Sequence, residues 1–393
     1  MKAALDTRAV VRAGVILVVV ALAVTLYSTF IGGAGSDSSR AISAAGATTS
    51  TITTTAINEA PNTPLIQAGV NTDVATATAP GPAPATSENN RLAQNIVNGI
   101  TFGLLLALAS VGLSLIYGTT GLSNFAHGEQ VSFGAVLTYF LATSDKVSLP
   151  LIPLKFTIGL PLIVAAIAAV LISGGTGWLQ NKFLWSPLRR KHVGVVQQMI
   201  VSIGLSLALV NLLQWWMGGG KLRLSTSIDT RHHWGPIDIS NQTIISMVIS
   251  IACLLGVSWF LLYTRLGRAT RAVSDNPSLA AASGIKVDSI VRLVWILATS
   301  LAAVGGILLA LYEQATSFDA GARVLLLMFA AVTLGGLGQP FGALVGSLVI
   351  GVVVEVSTLW LPPDLKFATA LGILIVVLLF RPQGILGRSE RVG

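Results

Sequence analysis

Hydrophobic and polar positions divide the chain into three unequal parts. Residues 1–12 are short and basic, with Lys2, Arg8 and Arg12, and an unbroken apolar run follows from Ala13 to Ile31. Residues 32–90 lose all periodicity and are rich in Thr, Ala, Ser, Pro and Gly (TTSTITTTA, APGPAPATS). From residue 91 onward long apolar runs alternate with short polar breaks, at about 94–117, 125–143, 156–179, 195–217, 243–263, 290–312, 322–338, 341–361 and 367–380. In hydrocarbon every backbone N–H and C=O must be paired within its own segment, so such runs predict transmembrane helices. The expected fold is an all-α polytopic membrane protein of about nine core spans, with an extra hydrophobic helix at the N-terminus. The second, seventh and ninth spans are short or interrupted by glycine, and predict broken or re-entrant segments.

The longest polar interruption in the apolar half is Thr264 to Asp288. Arg265, Arg268 and Arg271 stand at i, i+3, i+6 and fall on one face of a helix leaving the membrane. Ser274-Asp275-Asn276-Pro277 breaks that helix and starts another: Asn276 suits the N-cap, Pro277 the first helical position, and Gly284 a C-terminal stop after Ala280 and Ala281. A short, exposed helix of this kind suits docking into a groove of another protein; its alternative is a solvated connector.

Composition agrees with a membrane protein. Of 393 residues 53% are hydrophobic and only 10% charged, against about 25% charged in soluble domains. The run from Ala13 to Ile31 is either a cleaved signal peptide or an anchor, and its length of about 19 residues favours an anchor. Residues 32–90 predict a disordered extracytoplasmic linker. Most of the 24 Lys and Arg lie in segments that alternate to one side of the proposed spans, including 182–191, 265–271 and the C-terminal tail. The positive-inside rule then puts the 264–288 loop and both termini in the cytoplasm, so the charge of +8 reports topology rather than nucleic-acid affinity. Trp178, Trp185, Trp215, Trp216 and Trp360 lie near span ends and are expected to be interfacial anchors. The single cysteine, Cys253, allows no intrachain disulfide, and the four histidines show no metal-ligand spacing. Gly218-Gly219-Gly220-Lys221 has the wrong spacing for a phosphate loop. With no paired catalytic carboxylates either, the chain is expected to be a non-enzyme without a cofactor.

Polar groups inside the apolar segments mark candidate pathway residues, because an ionisable group in a span should face a cavity or a partner. Asn98 lies in the first span, and Asn124, His127 and Glu129 open the second. This patch either lines a conduit or sits at headgroup level. His127 and Glu129, at i and i+2, point to different sides of a helix and do not form an acid–base pair. Glu355 reads as deep within its span. Gly335 and Gly336, in TLGGLGQPFGA, predict a broken helix whose freed carbonyls face water or substrate. Phe133-Gly134-Ala135 recurs as Phe341-Gly342-Ala343, a hint of two equivalent halves.

Four motifs in this order, GTTGLSNFAHGEQVSFGA, RAVSDNPSLAAASGIKVD, LGGLGQPFGALVGSLVIG and FRPQGILG, resemble the branched-chain amino-acid ABC-transporter permeases of the LivH type. The resemblance covers about residues 91–388, and residues 1 to about 90 are additional to short members of the family. It implies a multi-pass subunit of the bacterial inner membrane. Its implied partners are a second related permease, two cytoplasmic ATPases and an extracytoplasmic substrate-binding protein. The resemblance implies that the loop at Arg271–Asp288 contacts an ATPase, on the matching residues Arg271, Asp275, Pro277, Ala280, Ala281 and Gly284. Asn276 joins them as the cap, and Ser278-Leu279 departs from an acidic position often found there. The implied cargo is a branched-chain amino acid or a similar small polar solute, carried while spans five and six rock in rigid continuity with the loop. The alternatives are a urea or short-amide permease of the same group, or a stand-alone secondary transporter or channel.

Overall fold

A computed structural model describes residues 88–143, 147–148, 155–156, 159–224, 230–235, 237–362, 365–380 and 384–386; the basic start, the apolar run and nearly all of the linker lie outside the described residues. Each of the nine apolar segments is helical. They are α1 (Glu88–Thr120), α2 (His127–Ala142), α3 (Leu162–Gln180), α5 (Val195–Met217), α6 (Asn241–Tyr263), α9 (Val287–Tyr312), α10 (Ala320–Gly335), α11 (Pro340–Ser357) and α12 (Lys366–Phe380). Among the described residues, six are long and apolar enough to cross a membrane: α1, α3 with its continuation to Arg190, α5, α6, α9 and α11. The count of nine spans is therefore not reproduced. The exceptions are the segments expected to be short. At 16, 16 and 15 residues, α2, α10 and α12 reach roughly 22–24 Å, less than a hydrocarbon core of about 30 Å.

Three short helices complete the set, α4 (Ser186–Arg190), α7 (Arg265–Asp275) and α8 (Pro277–Ala282), with a π turn at Asn181–Trp185 joining α3 to α4 within one span. Two antiparallel strand pairs sit at the opposite end of the bundle from α7 and α8: β1 (Val147–Ser148) with β2 (Lys155–Phe156), and β3 (Arg231–Trp234) with β4 (Ile237–Ser240). In the second pair Arg231 faces Ser240 and Trp234 faces Ile237. Gln94 clamps this hairpin to α1, donating from Nε2 to the Asp238 carbonyl (3.0 Å) and accepting from the Asp238 N–H (2.7 Å).

The core is built around α1, which packs chiefly against α11 and α9. In α1, 94% of the apolar stretch is buried, against 11% in α5, so α5 and α1 occupy opposite extremes of the bundle. Without a hydrophobic force between helices in lipid, close packing of small residues must hold such a core. The α1–α11 crossing shows this. Gly99 and Gly103 form a G-x-x-x-G pair, and a Cβ on Gly351 would lie 2.5 Å from the Gly103 Cα and 2.6 Å from the Gly99 carbonyl oxygen. Backbone therefore rests on backbone. The repeated Phe-Gly-Ala triplets do not take equivalent places: Gly134 meets Ala303 of α9, whereas Gly342 meets Gly335 of α10.

Two expectations about ends and anchors are corrected. Trp185 is not an interfacial anchor; it is fully buried and stacked on Trp295 of α9, with ring centroids 5.4 Å apart and an interplanar angle of 17°. The π turn carries it inward. Trp178, Trp215 and Trp360 are exposed as expected, while Trp216 is half-buried and stacks on Phe140 at 4.7 Å. The Arg-bearing segment is also not a continuation of α6. Thr264 turns the chain with extended backbone (φ −88°, ψ 155°), its hydroxyl donating to the Phe260 carbonyl (2.7 Å) and accepting from the Gly267 N–H (2.9 Å). The same hydroxyl thus ends α6 and caps α7.

The glycine crossing yields a direct test. Gly351→Leu places a side chain into the α1 backbone, an overpacking cost of about 1–3 kcal/mol or more. A lower melting temperature or loss of monodisperse protein in detergent is expected. Gly175→Leu, where nothing lies within 4 Å of the added Cβ, should melt as wild type. Equal melting of the two variants would contradict the crossing.

Candidate functional site

The polar opening of α2 lies deep in the bundle, because the chain doubles back after α1. Residues 121–126 form a coil that starts at Gly121, whose N–H bonds the Tyr117 carbonyl (2.7 Å). It ends at His127, whose Nε2 bonds the carbonyl of Ala109 (3.0 Å). Ala109 precedes the end of α1 by about eleven residues, roughly 16 Å of helix. Glu129 accepts a hydrogen bond from the Ser206 hydroxyl (3.0 Å), and Ser206 is the midpoint of α5. Thus α2 begins halfway through the bundle and runs from there toward the β-hairpin end.

A second helix begins at the same level. Gly321, in the first turn of α10, lies backbone to backbone on Gly128, and its N–H donates to Ser132 Oγ (2.7 Å). From this crossing α10 runs the other way, toward α7 and α8. Phe125 and Phe329 (centroids 5.0 Å apart) continue the contact on that side. The loop before α10 descends from the end of α9; Thr316 pairs with Leu222 across an isolated bridge, and Asp319 is held by Arg323 (2.6 Å) and Ser317 (2.8 Å). Two half-length helices thus meet N-terminus to N-terminus at mid-depth. Helix N-termini carry unpaired N–H groups and partial positive charge.

Around this meeting point the sequence-derived candidates Asn124, His127 and Glu129 are all buried, at 0–1% exposure. Asn124 Oδ1 accepts from the Ala126 N–H (3.2 Å), an Asx turn that shapes the entry to α2. His127 and Glu129 bond to different helices, α1 and α5, as their spacing requires. Sequence reasoning missed Gln130, whose Nε2 donates to Gln180 Oε1 of α3 (2.8 Å), and the hydroxyls of Ser202 and Ser206. The Ser202 hydroxyl accepts from the Phe125 N–H (3.2 Å). A signal for α5 existed: Gln198, Ser202 and Ser206 recur every four residues, a polar stripe from which Ser202 and Ser206 reach Phe125 and Glu129. Among the described residues no group of three His, Cys, Asp or Glu side chains is placed to hold a metal ion.

The remaining candidates lie elsewhere. Asn98 accepts from Gln94 (2.9 Å) at the β-hairpin end of α1. Glu355 is not deep in its span: it stands two residues from the end of α11, half-buried, and its carbonyl accepts from Asn95 Nδ2 (3.1 Å). Gly335 and Gly336 sit at the other end of the bundle, and the carbonyls expected to be free there are taken. Ile385 N–H bonds the Leu334 carbonyl (2.7 Å) and Leu386 N–H bonds the Gly335 carbonyl (3.0 Å). Gly384 makes this possible: it adopts φ +78°, and a Cβ there would meet the Thr333 carbonyl oxygen and the Gly336 backbone at 2.5–2.8 Å. Residues 384–386 of the tail thus form a C-terminal cap for α10.

The 264–288 loop is both exposed and well anchored. Arg265, Arg268 and Arg271 are exposed on one face of α7, while Gly267, Thr270 and Val273 are buried on the other. Asn276 caps α8 by accepting from the Leu279 N–H (2.9 Å), and Pro277 takes the first helical position. The helix closes in a Schellman motif: Ile285 N–H bonds the Ala280 carbonyl (3.0 Å), Gly284 N–H bonds the Ala281 carbonyl (2.9 Å), and Gly284 adopts φ +84°. Ala280 is buried with Val273 and Ile290, fixing α8 to α7 and α9, whereas Asp275 to Leu279 and Ala281 to Gly284 are exposed. Beneath the loop, a Cβ on Gly118 of α1 would meet Ser274 Oγ at 2.6 Å and the Gly338 carbonyl oxygen at 2.9 Å, so α7, the end of α1 and the α10–α11 turn meet at one point.

Residues 95–378 match the family model described as "Branched-chain amino acid transport system / permease component". The chain is 30% identical over 303 residues to the high-affinity branched-chain amino acid transport system permease protein BraD of Pseudomonas aeruginosa, covering 76% of this chain and 96% of that protein. It is 28% identical to the LivH permease protein of Escherichia coli K12 over the same shares of the two chains. It is 24% identical to the E. coli ribose import permease protein RbsC, covering 67% of this chain and 78% of that protein. No solved structure gives a significant match.

The cap on α8 can be checked without an activity assay. Asn276→Ala removes a bond worth about 1 kcal/mol, so amide exchange across Leu279–Ser283 should quicken about fivefold by hydrogen-exchange mass spectrometry. Asn276→Asp should exchange as wild type. Unchanged exchange in Asn276→Ala would mean that other contacts hold α8.

Proposed function

The chain belongs to the family of branched-chain amino acid transport system permease components, and on that premise we propose that it is the permease subunit of an ATP-driven importer. It forms the membrane path for branched-chain amino acids or similar small polar solutes and is worked from the cytoplasm by separate ATPase subunits. A second, related permease subunit completes the path, and an extracytoplasmic binding protein delivers the solute at the β-hairpin end. The observation that carries the ATPase contact is the exposed, doubly capped α8. A six-residue helix open to solvent on most sides, yet pinned through Ala280 to the buried cluster of Val273 and Ile290, is a rigid knob suited to a groove in another protein. Arg271, Asp275, Asn276, Pro277, Ala281 and Gly284 present its outer surface.

Because Thr264 breaks the chain between α6 and α7, the force does not travel along a continuous span. It enters through the meeting of Ser274, Gly118 and Gly338 and reaches the end of α1, from which the 121–126 coil climbs to the polar start of α2. Two packings of this junction, each favoured by a different state of the motor, would alternate access. Asn124, His127 and Glu129 line the path at mid-depth. Asn98 and Glu355 line its β-hairpin mouth, and Gly335 and Gly336 form the wall at the opposite end. A urea or short-amide cargo uses the same machinery, and the uptake assay decides between the cargoes.

The test is reconstitution into proteoliposomes with and without the ATPase subunits. Uptake should require ATP and those subunits; uptake by the chain alone would favour a stand-alone transporter. Arg271→Glu and Gly284→Pro should each lower ATP-driven uptake by about tenfold or more and weaken co-purification of the ATPases, since proline cannot take φ +84° and charge reversal costs several kcal/mol at a contact. Wild-type values for both would remove α8 from the coupling.

A further inference from the structure

We infer that the turn between α3 and α5 is a binding site for the headgroup of an anionic phospholipid, in the leaflet on the α7–α8 side of the bundle. The inference rests on reading the chain as a membrane-spanning permease, and on neither its cargo nor its motor. The starting point is a helix longer than the membrane is thick. The stretch from Leu162 to Arg190, which joins α3, the π turn and α4, has 29 residues, roughly 43 Å against a hydrocarbon core of about 30 Å. A Cβ on Gly177 would meet the Thr299 side chain, and Thr299 lies at the middle of α9. From that level the helix runs on for roughly 20 Å to Arg190, past a half-thickness of about 15 Å. Arg190 comes within 4.0 Å of Asp288 in the first turn of α9, so the overrun lies at the α7–α8 end.

The π turn sorts the side chains of this overrun. Trp185 goes into the core, and the half-buried Arg189 donates to Asn181 Oδ1 (2.8 Å), which ties α4 back to the turn. Lys182, Phe183, Arg190 and Lys191 stay outside and exposed. Lys182 Nζ sits over the rings of Trp178 (4.7 Å to the centroid) and Phe183 (5.3 Å). Ring faces position an ammonium without neutralising its charge. Among the described residues Lys182 and Lys191 form no ion pair, and Arg190 has only its solvent-exposed contact with Asp288. Beside these cations Phe183 is 66% exposed, and Val196, in the first turn of α5, is 68% exposed.

The surface therefore has two zones. Phe183 and Val196 present apolar area at the edge of the hydrocarbon, and Arg190 and Lys191 present charge beyond it. Lys182 bridges the zones, its aliphatic stem on the apolar side and its ammonium reaching toward the headgroups. A phospholipid has the same two zones, acyl chains and a phosphate at their end. An acidic protein surface matches the charge and leaves the apolar zone uncovered. Three exposed cations stand against one carboxylate, Asp288. That excess selects an anionic headgroup such as phosphatidylglycerol over phosphatidylcholine, whose own ammonium cancels its phosphate.

The experiment uses the purified full chain in detergent, without ATPases or solute. Native mass spectrometry reads the half-saturating concentration of phosphatidylglycerol, of phosphatidylcholine, and of glycerol 3-phosphate, which is a phosphate without acyl chains. The proteins are wild type, Lys182→Gln/Lys191→Gln, Lys182→Arg/Lys191→Arg, and Lys221→Gln/Arg231→Gln, which removes two exposed cations at the β-hairpin end. Wild type should bind phosphatidylglycerol about tenfold or more tightly than phosphatidylcholine, and glycerol 3-phosphate more weakly than either. Loss of both lysines should weaken phosphatidylglycerol about thirtyfold, while the arginine pair and the hairpin-end pair bind it as wild type does. Equal affinity of wild type for the two lipids overturns the site, and so does wild-type affinity in Lys182→Gln/Lys191→Gln. If that variant keeps the lipid but loses co-purifying ATPase, the cations serve a protein contact instead. An equal loss in the hairpin-end pair overturns the site in favour of a general charge effect, and tight binding of glycerol 3-phosphate overturns it in favour of a free anion. None of these outcomes touches the permease reading. Release of the wild-type chain from membranes by alkaline carbonate without detergent would overturn the membrane reading itself, and the site with it.

Discussion

The architecture depends on backbone meeting backbone. Inside a bilayer the apolar side chains of two helices gain nothing by leaving lipid for each other, so adhesion rests on close van der Waals approach. Gly99, Gly103 and Gly351 bring α1 and α11 within the distance of a Cβ, and α9 closes on α1 from another side. This burial of α1 gives the bundle a fixed axis. The peripheral helices α3, α5 and α6 are mostly exposed around it, as lipid or a neighbouring subunit requires.

A fixed axis permits an irregular interior. The coil at 121–126 leaves the end of α1 and returns along it, held by hydrogen bonds to α5, by its own Asx turn and, at His127, by a bond to α1. The crossing of Gly128 with Gly321 lets two short helices start at one depth and leave in opposite directions. Non-helical backbone at membrane depth is tolerated only where protein or a water-filled cavity covers it. The break in the spans and the buried polar groups at the start of α2 therefore share one cause. The same logic governs the other end of α10, where the tail at Gly384–Leu386 takes up carbonyls that the glycine turn releases.

The cytoplasmic loop of the proposed importer is linked to this interior by contact rather than by helix continuity. Thr264 interrupts the helix between α6 and α7, Gly267 of α7 rests on the Phe260–Leu261 backbone of α6, and the approach of Ser274 and Gly338 to Gly118 joins α7 to α1 as well. A displacement of α8 is thus felt by contact at α6, at α9 and at the end of α1. In the proposed importer the exposed α8 and the polar start of α2 then belong to one continuous set of packed helices.

What could be read from the residues alone was whatever a local rule encodes. Runs of apolar positions located every core helix, and the short ones stood out by length. Asn276, Pro277 and Gly284 marked both ends of α8, because capping depends on residues a few positions apart. The charges at Arg265, Arg268 and Arg271 were legible as one face for the same reason. What the tertiary structure alone decided was depth and partnership: that His127 and Glu129 lie at the middle of the bundle rather than at its edge, that Glu355 lies near a helix end, that Trp185 turns inward to Trp295, and that the tail occupies the carbonyls beside Gly335. Each of these depends on where distant segments cross, which is set by the fit of glycine against glycine across the bundle, and a one-dimensional pattern of polarity carries no record of that fit.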